Sequence, residues 1–124
     1  MFVQIYKQSV VAETFGLHQL HGIGLRKALE FLVKDFAKSQ MPTEKDAIEN
    51  TQPLQCINNY LDDQRIRQSA TLATWLGNDE THYIRKWQDK DIKDLKVLIK
   101  LTVNWIENVL LSEKYVMNMQ PKAP

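Results

Sequence analysis

The sequence predicts an all-α protein, a bundle of four to six helices. Three observations lead to this prediction. Apolar residues recur at helical spacing along most of the 124 residues. The usual signals of strands, which are alternating apolar and polar runs and Asn-Gly hairpin turns, do not occur. Glycines and prolines number only four each, and they fall where breaks between helices are expected.

The first part of the chain contains two helical segments, residues 2–15 (FVQIYKQSVVAETF) and residues 25–36 (LRKALEFLVKDF). Because glycine costs a helix interior only about 1 kcal/mol, the sequence leaves open whether Gly16 separates two helices or bends one helix within residues 2–39. The second segment has apolar residues at i, i+3, i+4, i+7, i+8 and i+11, one continuous helical stripe. They are Leu25, Ala28, Leu29, Leu32, Val33 and Phe36.

Two short helices are predicted next. Thr43, with Asp46 three residues later, resembles a capping box for the first of them. Pro53, just after Thr51, is favoured at the first position of a helix, and it opens the second over residues 53–61. Leu54, Ile57 and Leu61 lie on one face of this helix.

A longer helix is predicted after Asp62-Asp63, which is a typical entry signal. Its apolar residues Ile66, Ala70, Ala73 and Leu76 keep helical spacing. We expect Gly77-Asn78 to stop this helix, because both residue types readily adopt the left-handed conformation of a C-terminal cap. Asp79 is then expected to start a new helical turn.

The last helix is predicted to begin after Asp89 and Asp91, since negative charge is favourable at a helix N-terminus. Its main stripe consists of Ile92, Leu95, Ile99, Thr102, Ile106 and Val109, and Leu98, Leu101, Trp105 and Leu111 flank it. A helix that is apolar over more than one face is either central in a bundle or shared with a partner chain. We therefore expect one helical-bundle domain over residues 1–119 and a frayed tail over residues 120–124.

Composition limits the classes of function. A net charge of +1 gives no overall attraction to nucleic acid or to an anionic membrane. The sequence has no apolar run of membrane-spanning length and no secretion signal, so a soluble, cytoplasmic protein without a membrane partner is expected. Cys56, the only cysteine, is flanked by apolar residues and is expected to be a small core residue rather than a nucleophile.

Nucleic-acid binding would need a local basic patch. The candidates are Arg67, Arg85 and Lys86, with Arg65 beside them, and the lysines of the last helix. The alternative is that these charges form an ordinary solvated face.

His18 and His21 are three residues apart, a spacing that would suit two metal ligands on one helix face. A metal site needs at least one more ligand, which Glu13 or a more distant residue would have to supply. Ordinary helix-face histidines are the preferred interpretation, so neither a metal nor another cofactor is expected.

The stretch Trp75–Trp87, WLGNDETHYIRKW, contains the densest cluster of polar side chains. If residues 79–86 form a helical turn, His82 and Arg85 project on one side, with Asn78 or Asp79 placed to orient the histidine. His82 would then serve as general acid or base, because histidine is the residue type whose unperturbed pKa lies near neutrality, and Arg85 would bind an anion. The alternative is a helix junction in which the same residues only cap and pack.

Two of these motifs together resemble the bacterial family DUF4145, whose function is unknown. The resemblance covers nearly the whole chain and lies in the helix that carries Arg26, Ala28, Leu29 and Glu30 and in the turn that carries Gly77, Asn78 and His82. The family is similar to the HEPN superfamily of helical bundles, many of which are metal-independent ribonucleases of defence systems and often dimerise. HEPN nucleases carry an arginine a few residues before the motif histidine, and this chain has Trp75, Leu76 and Gly77 there.

The resemblance and the missing arginine together predict a non-catalytic HEPN-like module that binds protein or nucleic acid in a bacterial or mobile-element defence system. A homodimer is expected, with RNA or another protein as further partners. The alternative is a metal-independent endoribonuclease in which His82 is the general acid or base, assisted by Asn78 and Arg85.

Overall fold

The computed structural model describes residues 1–87 and 89–121. These residues form six α-helices and no strand, which confirms the all-α prediction. The helices are α1 Phe2–Thr14, α2 His18–Gln40, α3 Lys45–Glu49, α4 Pro53–Tyr60, α5 Gln64–Thr81 and α6 Ile92–Asn118. The expected tail over residues 120–124 falls only partly within this range, since residues 122–124 lie outside the described part.

The first segment is two helices, not one bent helix. Gly16 adopts a φ of 73°, a left-handed conformation that glycine takes without a steric penalty, and α1 ends before it. α1 folds back onto α2 as a helical hairpin. Gly24 permits their close approach, because a Cβ at this position would lie 2.9 Å from the Cβ of Ser9.

α2 lies at the centre of the bundle, where it packs against α1, α4, α5 and α6. Its predicted stripe is confirmed: all six positions are buried except Leu32, which is half-buried against the core. Cys56 on α4 is fully buried, and this burial raises the pKa of its thiol. The interpretation of Cys56 as a core residue is therefore confirmed.

Two of the predicted helix starts have the expected side-chain caps. Asp63 accepts hydrogen bonds from the backbone N–H groups of Arg65 and Ile66 at the start of α5. Asp91 forms a full capping box with Asp94 at the start of α6.

The capping box expected at Thr43 and Asp46 is absent, and this prediction was wrong. A 3-10 turn over Pro42–Glu44 leads directly into α3, whose N-cap is Glu44 without a side-chain hydrogen bond. Proline fixes φ near the helical value, so the chain turns one residue before Thr43 and leaves it outside the extended N-cap position.

The prediction that Gly77-Asn78 ends α5 was also wrong. The helix continues through both residues to Thr81. Gly77 is buried against the side chain of Arg26 on α2, and Asn78 Oδ1 accepts a hydrogen bond from Arg26 Nε at 3.1 Å. Packing of α5 on α2 thus outweighs the small helical penalty of glycine and the preference of both residues for a cap.

α6 is the longest helix, with 27 residues. Its predicted stripe faces the core, where Leu95, Ile99, Thr102 and Ile106 are buried. The opposite side of the helix, including Leu101 and Leu111, is exposed. Within the described residues, none of the helices combines the length and the apolar character that crossing a membrane requires.

Candidate functional site

The densest polar cluster lies where α5 ends and the chain crosses to α6. We call residues 82–87 and 89–91 the crossing segment. Asp79, in the last turn of α5, is buried, and its carboxylate accepts hydrogen bonds from the backbone N–H groups of Lys86 (2.6 Å) and Trp87 (2.8 Å). Asp79 therefore anchors the crossing chain to the end of α5. The expectation that it starts a new helical turn was wrong, because residues 82–87 are not helical and their amides need the carboxylate as a partner.

These contacts set the ionisation of Asp79. Burial by itself raises the pKa of its carboxyl group, but the N–H groups of Lys86 and Trp87, helped by the charge of Arg85, hold the pKa below its ordinary value. The carboxylate is therefore charged in the folded protein, where it accepts the two backbone hydrogen bonds. It is not placed to take up or release a proton near neutral pH.

Arg85 is held by the end of α5. Its guanidinium lies 3.1 Å from Glu80 Oε1 and 3.9 Å from Asp79 Oδ2, and it donates a hydrogen bond to the carbonyl of Lys90. Two carboxylates thus already balance the cation that was predicted to bind an anion. Arg85 therefore links the end of α5, through Glu80, to the backbone of Lys90 near the start of α6.

His82 is the C-cap residue of α5 and is exposed. Its backbone N–H donates to the carbonyl of Asp79, and no side chain in the described residues hydrogen-bonds to its ring. The amide of Asn78, which was predicted to orient it, is instead bonded to Arg26. The expected turn with His82 and Arg85 on one side does not form.

The structure does bring His82 and Asn78 to one cavity of about 380 Å³. Lys86 also lines this cavity, whereas Arg85 does not. Trp75 and Trp87 form its apolar wall, with their rings stacked nearly in parallel (9°) at a centroid distance of 6.1 Å. The same two rings line a second, more apolar cavity of about 260 Å³ that opens toward Val97 and Leu98 on α6.

The predicted basic patch is divided between α5, which carries Arg67, and the non-helical residues after it, which include Arg85 and Lys86. Arg67 lies in the first part of the helix, and Asn78, beside Lys86, is about 16 Å further along the axis at about 1.5 Å per residue. Arg65 lies over the ring of Trp105, 4.4 Å from its centroid, in a cation–π contact. Arg67 therefore lies about three helical turns of α5 away from Asn78, which lines the same cavity as Lys86.

The two histidines proposed as metal ligands have different environments. His18 is exposed at the start of α2, whereas His21 is fully buried. The Nδ1 of His21 donates to the carbonyl of Ser9 at 2.7 Å, and its Nε2 lies 3.1 Å from Glu13 Oε2. Within the described residues, no three side chains of metal-binding type lie close enough to hold an ion.

Glu13 connects His21 to a third helix. Its second oxygen accepts a hydrogen bond from Lys96 Nζ on α6 at 2.9 Å. This bond to Lys96, with a further contribution from the nearby His21, holds the pKa of Glu13 below its ordinary value. His21, Glu13 and Lys96 thus tie together α2, α1 and α6, which gives His21 a structural role.

Arg26 is the site residue that the sequence did not identify. It was recognised only as part of a helical motif, and its contact with Asn78 joins positions 52 residues apart. The available signal was that the two halves of the resemblance, the helix with Arg26 and the turn with Gly77-Asn78, belong to one pattern. Comparisons of the chain with protein-family models, with curated proteins and with solved structures find no match, so the resemblance to DUF4145 remains a prediction.

Proposed function

We propose that this chain is a non-catalytic, HEPN-like interaction module that forms a homodimer through the outer face of α6. We define this face as Val97, Leu101, Asn104, Asn108, Leu111 and Tyr115. The observation that carries the proposal is the exposure of large apolar side chains on this face. Val97 is 57% exposed, Leu101 39%, Leu111 54% and Tyr115 59%.

The spacing of this face supports a helix as the partner. Its residues follow one another at intervals of four and three, the pattern by which two helices pack side by side. The face points away from Leu95, Ile99, Thr102 and Ile106, which are buried in the bundle. A partner on this side would therefore extend the packing of α6 without disturbing the core.

The face is also complementary to itself. When two copies of α6 are placed antiparallel about a twofold axis, Val97 meets Tyr115, Leu101 meets Leu111, and Asn104 meets Asn108. The apolar residues then pair with apolar residues, and the two asparagine amides hydrogen-bond across the axis. Twofold symmetry with one self-complementary surface is the commonest arrangement of homodimers.

Three features support the HEPN-like and non-catalytic parts of the proposal. The helix of Arg26 and the Gly77-Asn78 segment, which together carry the resemblance, are in direct contact. Arg85 is occupied by two carboxylates, and His82 has no hydrogen-bonded side chain to orient it within the described residues. A place in a bacterial or mobile-element defence system is what the resemblance implies.

The test of the dimer is light scattering coupled to size-exclusion chromatography. The wild type is expected to be dimeric at micromolar concentration and Leu111→Glu monomeric. Leu111 is 54% exposed, so dimer formation would bury about half of its side chain, which is worth about 1 kcal/mol. The substitution occurs twice, so the variant is expected to lose at least about 2 kcal/mol of association energy. Val11→Glu, a control at an equally exposed apolar position on α1, should remain dimeric. A wild type that elutes only as a monomer would exclude the dimer.

A second candidate function is the metal-independent ribonuclease. One observation favours it: His82, Asn78 and Lys86 line the same cavity, which places a titratable ring near a cation. The test compares cleavage of mixed RNA by the wild type and by His82→Ala in the absence of divalent metal. Activity that disappears in the variant would establish the ribonuclease and overturn the non-catalytic assignment. Absent cleavage by both proteins, or equal cleavage by both, rules it out.

A further inference from the structure

We propose that a groove between α1 and α6 binds a medium-chain fatty acid, with the carboxylate on Lys100 and the alkyl chain along the apolar lining. We call it the Lys100 groove, and its volume is about 330 Å³. Its main lining residues are Phe2, Tyr6, Lys96, Ile99, Lys100 and Val103. Val97 also lines it and belongs to the outer face of α6, but the proposal does not rest on the dimer, because both walls of the groove come from one chain.

α1 and α6 flank the groove without packing closely on each other. α1 packs mainly on α2, and α6 packs mainly on α5. An ion pair between Glu13 Oε1 and Lys96 Nζ, at 2.9 Å, joins the two helices. On the α1 side, the ring centroids of Phe2 and Tyr6 lie 5.7 Å apart, and the two rings form an apolar wall. The space between the helices beyond this ion pair is therefore left for a ligand.

The lining of the groove is mostly apolar. Ile99 is buried, and Phe2, Tyr6 and Val103 are half-buried against the core. From Lys96 to Val103 the groove follows α6 for about 10 Å, at about 1.5 Å per residue. The methylene stems of the two lysines add to the apolar surface. An unbranched alkyl chain laid along the groove would bury its methylene groups against these side chains, which is favourable for each group buried.

The charges in the groove favour one anionic group. Among the described residues no acidic side chain lines it, and its two charged residues, Lys96 and Lys100, are both cations. Glu13 balances the charge of Lys96. Lys100 is exposed and forms no ion pair within the described part of the chain. One uncompensated ammonium group suits a head group with one negative charge, and a fatty acid combines such a head group with an unbranched apolar chain.

The experiment titrates the isotope-labelled protein with sodium octanoate and follows the backbone amide signals by NMR. We expect saturable shifts that are largest in α1 and in residues 96–103 of α6. Hexanoate should bind more weakly than octanoate, by about fourfold for each missing methylene group. Octylammonium has the same chain as an octyl carboxylate but a cationic head group, and it should bind about tenfold or more weakly than octanoate.

Lys100→Glu tests the contact with the head group, and Lys114→Glu is its matched control. Both changes are made at exposed lysines of α6 and alter the net charge equally, but Lys114 lies about 21 Å further along the helix. At physiological salt a charge at that distance is largely screened, because the Debye length is about 8 Å. We expect Lys100→Glu to weaken octanoate binding about tenfold or more and to reverse the preference in favour of octylammonium. Lys114→Glu should change octanoate binding less than about twofold.

The proposal is overturned if octanoate causes no saturable shifts, or if hexanoate or octylammonium binds the wild type as tightly as octanoate. It is also overturned if Lys114→Glu weakens octanoate binding as much as Lys100→Glu. Leu111→Glu separates this site from the dimer, because it should bind octanoate as tightly as the wild type whether or not the wild type is dimeric. Loss of octanoate binding in Leu111→Glu would instead place the ligand between two copies of the chain and overturn the assignment to the Lys100 groove.

Discussion

Replacing His21 by leucine tests its role as a structural link between helices. Leucine is apolar and close to histidine in volume, so it fills the buried space without making the polar contacts. The change removes the hydrogen bond from Nδ1 to the Ser9 carbonyl and the contact between Nε2 and Glu13. His18→Leu is the matched control, because His18 lies three residues earlier on the same helix and is exposed.

The expected loss follows from the two contacts. The buried hydrogen bond from Nδ1 to the Ser9 carbonyl contributes about 1 kcal/mol, and the contact of Nε2 with the partly exposed Glu13 carboxylate contributes about 1 kcal/mol or less. Glu13 keeps its bond to Lys96 in the variant, so its carboxylate does not become unpaired. We therefore expect His21→Leu to lower the free energy of unfolding by about 1–2 kcal/mol, and His18→Leu to change it by less than about 0.5 kcal/mol.

Urea unfolding at neutral pH, followed by circular dichroism, measures both values. The difference between wild type and His21→Leu should also depend on pH. Lys96 lowers the pKa of Glu13 in both proteins, whereas the further lowering of this pKa by the nearby His21 exists only in the wild type. The stability that comes from His21 in this way is complete above the ordinary pKa of about 4 and is lost as the pH falls below it. The difference should therefore narrow in acid. A His21→Leu protein as stable as His18→Leu would refute the structural role.

Three further predictions concern the end of α5 and the glycines. His82→Ala should change the free energy of unfolding by less than about 0.5 kcal/mol, because the ring is exposed and has no hydrogen-bonded side chain among the described residues. A loss of stability above about 1 kcal/mol in urea unfolding would contradict the exposed position of the ring. Asp79→Asn should speed hydrogen exchange at the amides of Lys86 and Trp87, measured by NMR, since the charged acceptor is lost. In the wild type the protection of the same amides, meaning the intrinsic exchange rate divided by the observed rate, should fall as the pH drops through the lowered pKa of Asp79, and unchanged protection in the variant would disprove the anchoring role. Gly24→Ala should destabilise the protein by about 1–3 kcal/mol, because the added Cβ would lie 2.9 Å from the side chain of Ser9. Gly77→Ala should be neutral or stabilising by up to about 1 kcal/mol, because its added Cβ would lie 3.4 Å from Arg26. Thermal melting compares the two variants, and equal effects on stability would contradict the prediction.

The helices could be predicted because their signals are local. The stripe on α2, the caps at Asp63 and Asp91, and the inward face of α6 all follow from residues a few positions apart. The error at Gly77-Asn78 shows where this reasoning fails. Both residues suit a helix end, but Arg26, far away in the sequence, holds them inside the helix. A tertiary contact of that kind has no signature in the local spacing.

The candidate site was predictable in its location and not in its arrangement. The polar density of Trp75–Trp87 indicated the helix junction at which the candidate site would lie. The role of Asp79 depends on two backbone N–H groups of the crossing segment, those of Lys86 and Trp87, which need an acceptor. The carboxylate of Asp79 accepts a hydrogen bond from each of them. The ion pair of Arg85 likewise depends on the direction of the crossing segment, because that direction brings Arg85 next to Glu80. Sequence spacing does not determine that direction.

The stacked pair of Trp75 and Trp87 gives the protein a built-in optical reporter. Trp75 belongs to α5 and Trp87 to the crossing segment, so the rings stay parallel only while that segment is docked. Two indole rings at this separation couple their electronic transitions and add a circular-dichroism signal distinct from that of the helices. Undocking of the crossing segment can thus be followed by this signal while the helical signal stays constant. A ligand entering either cavity beside the rings would register in the same band without any added label.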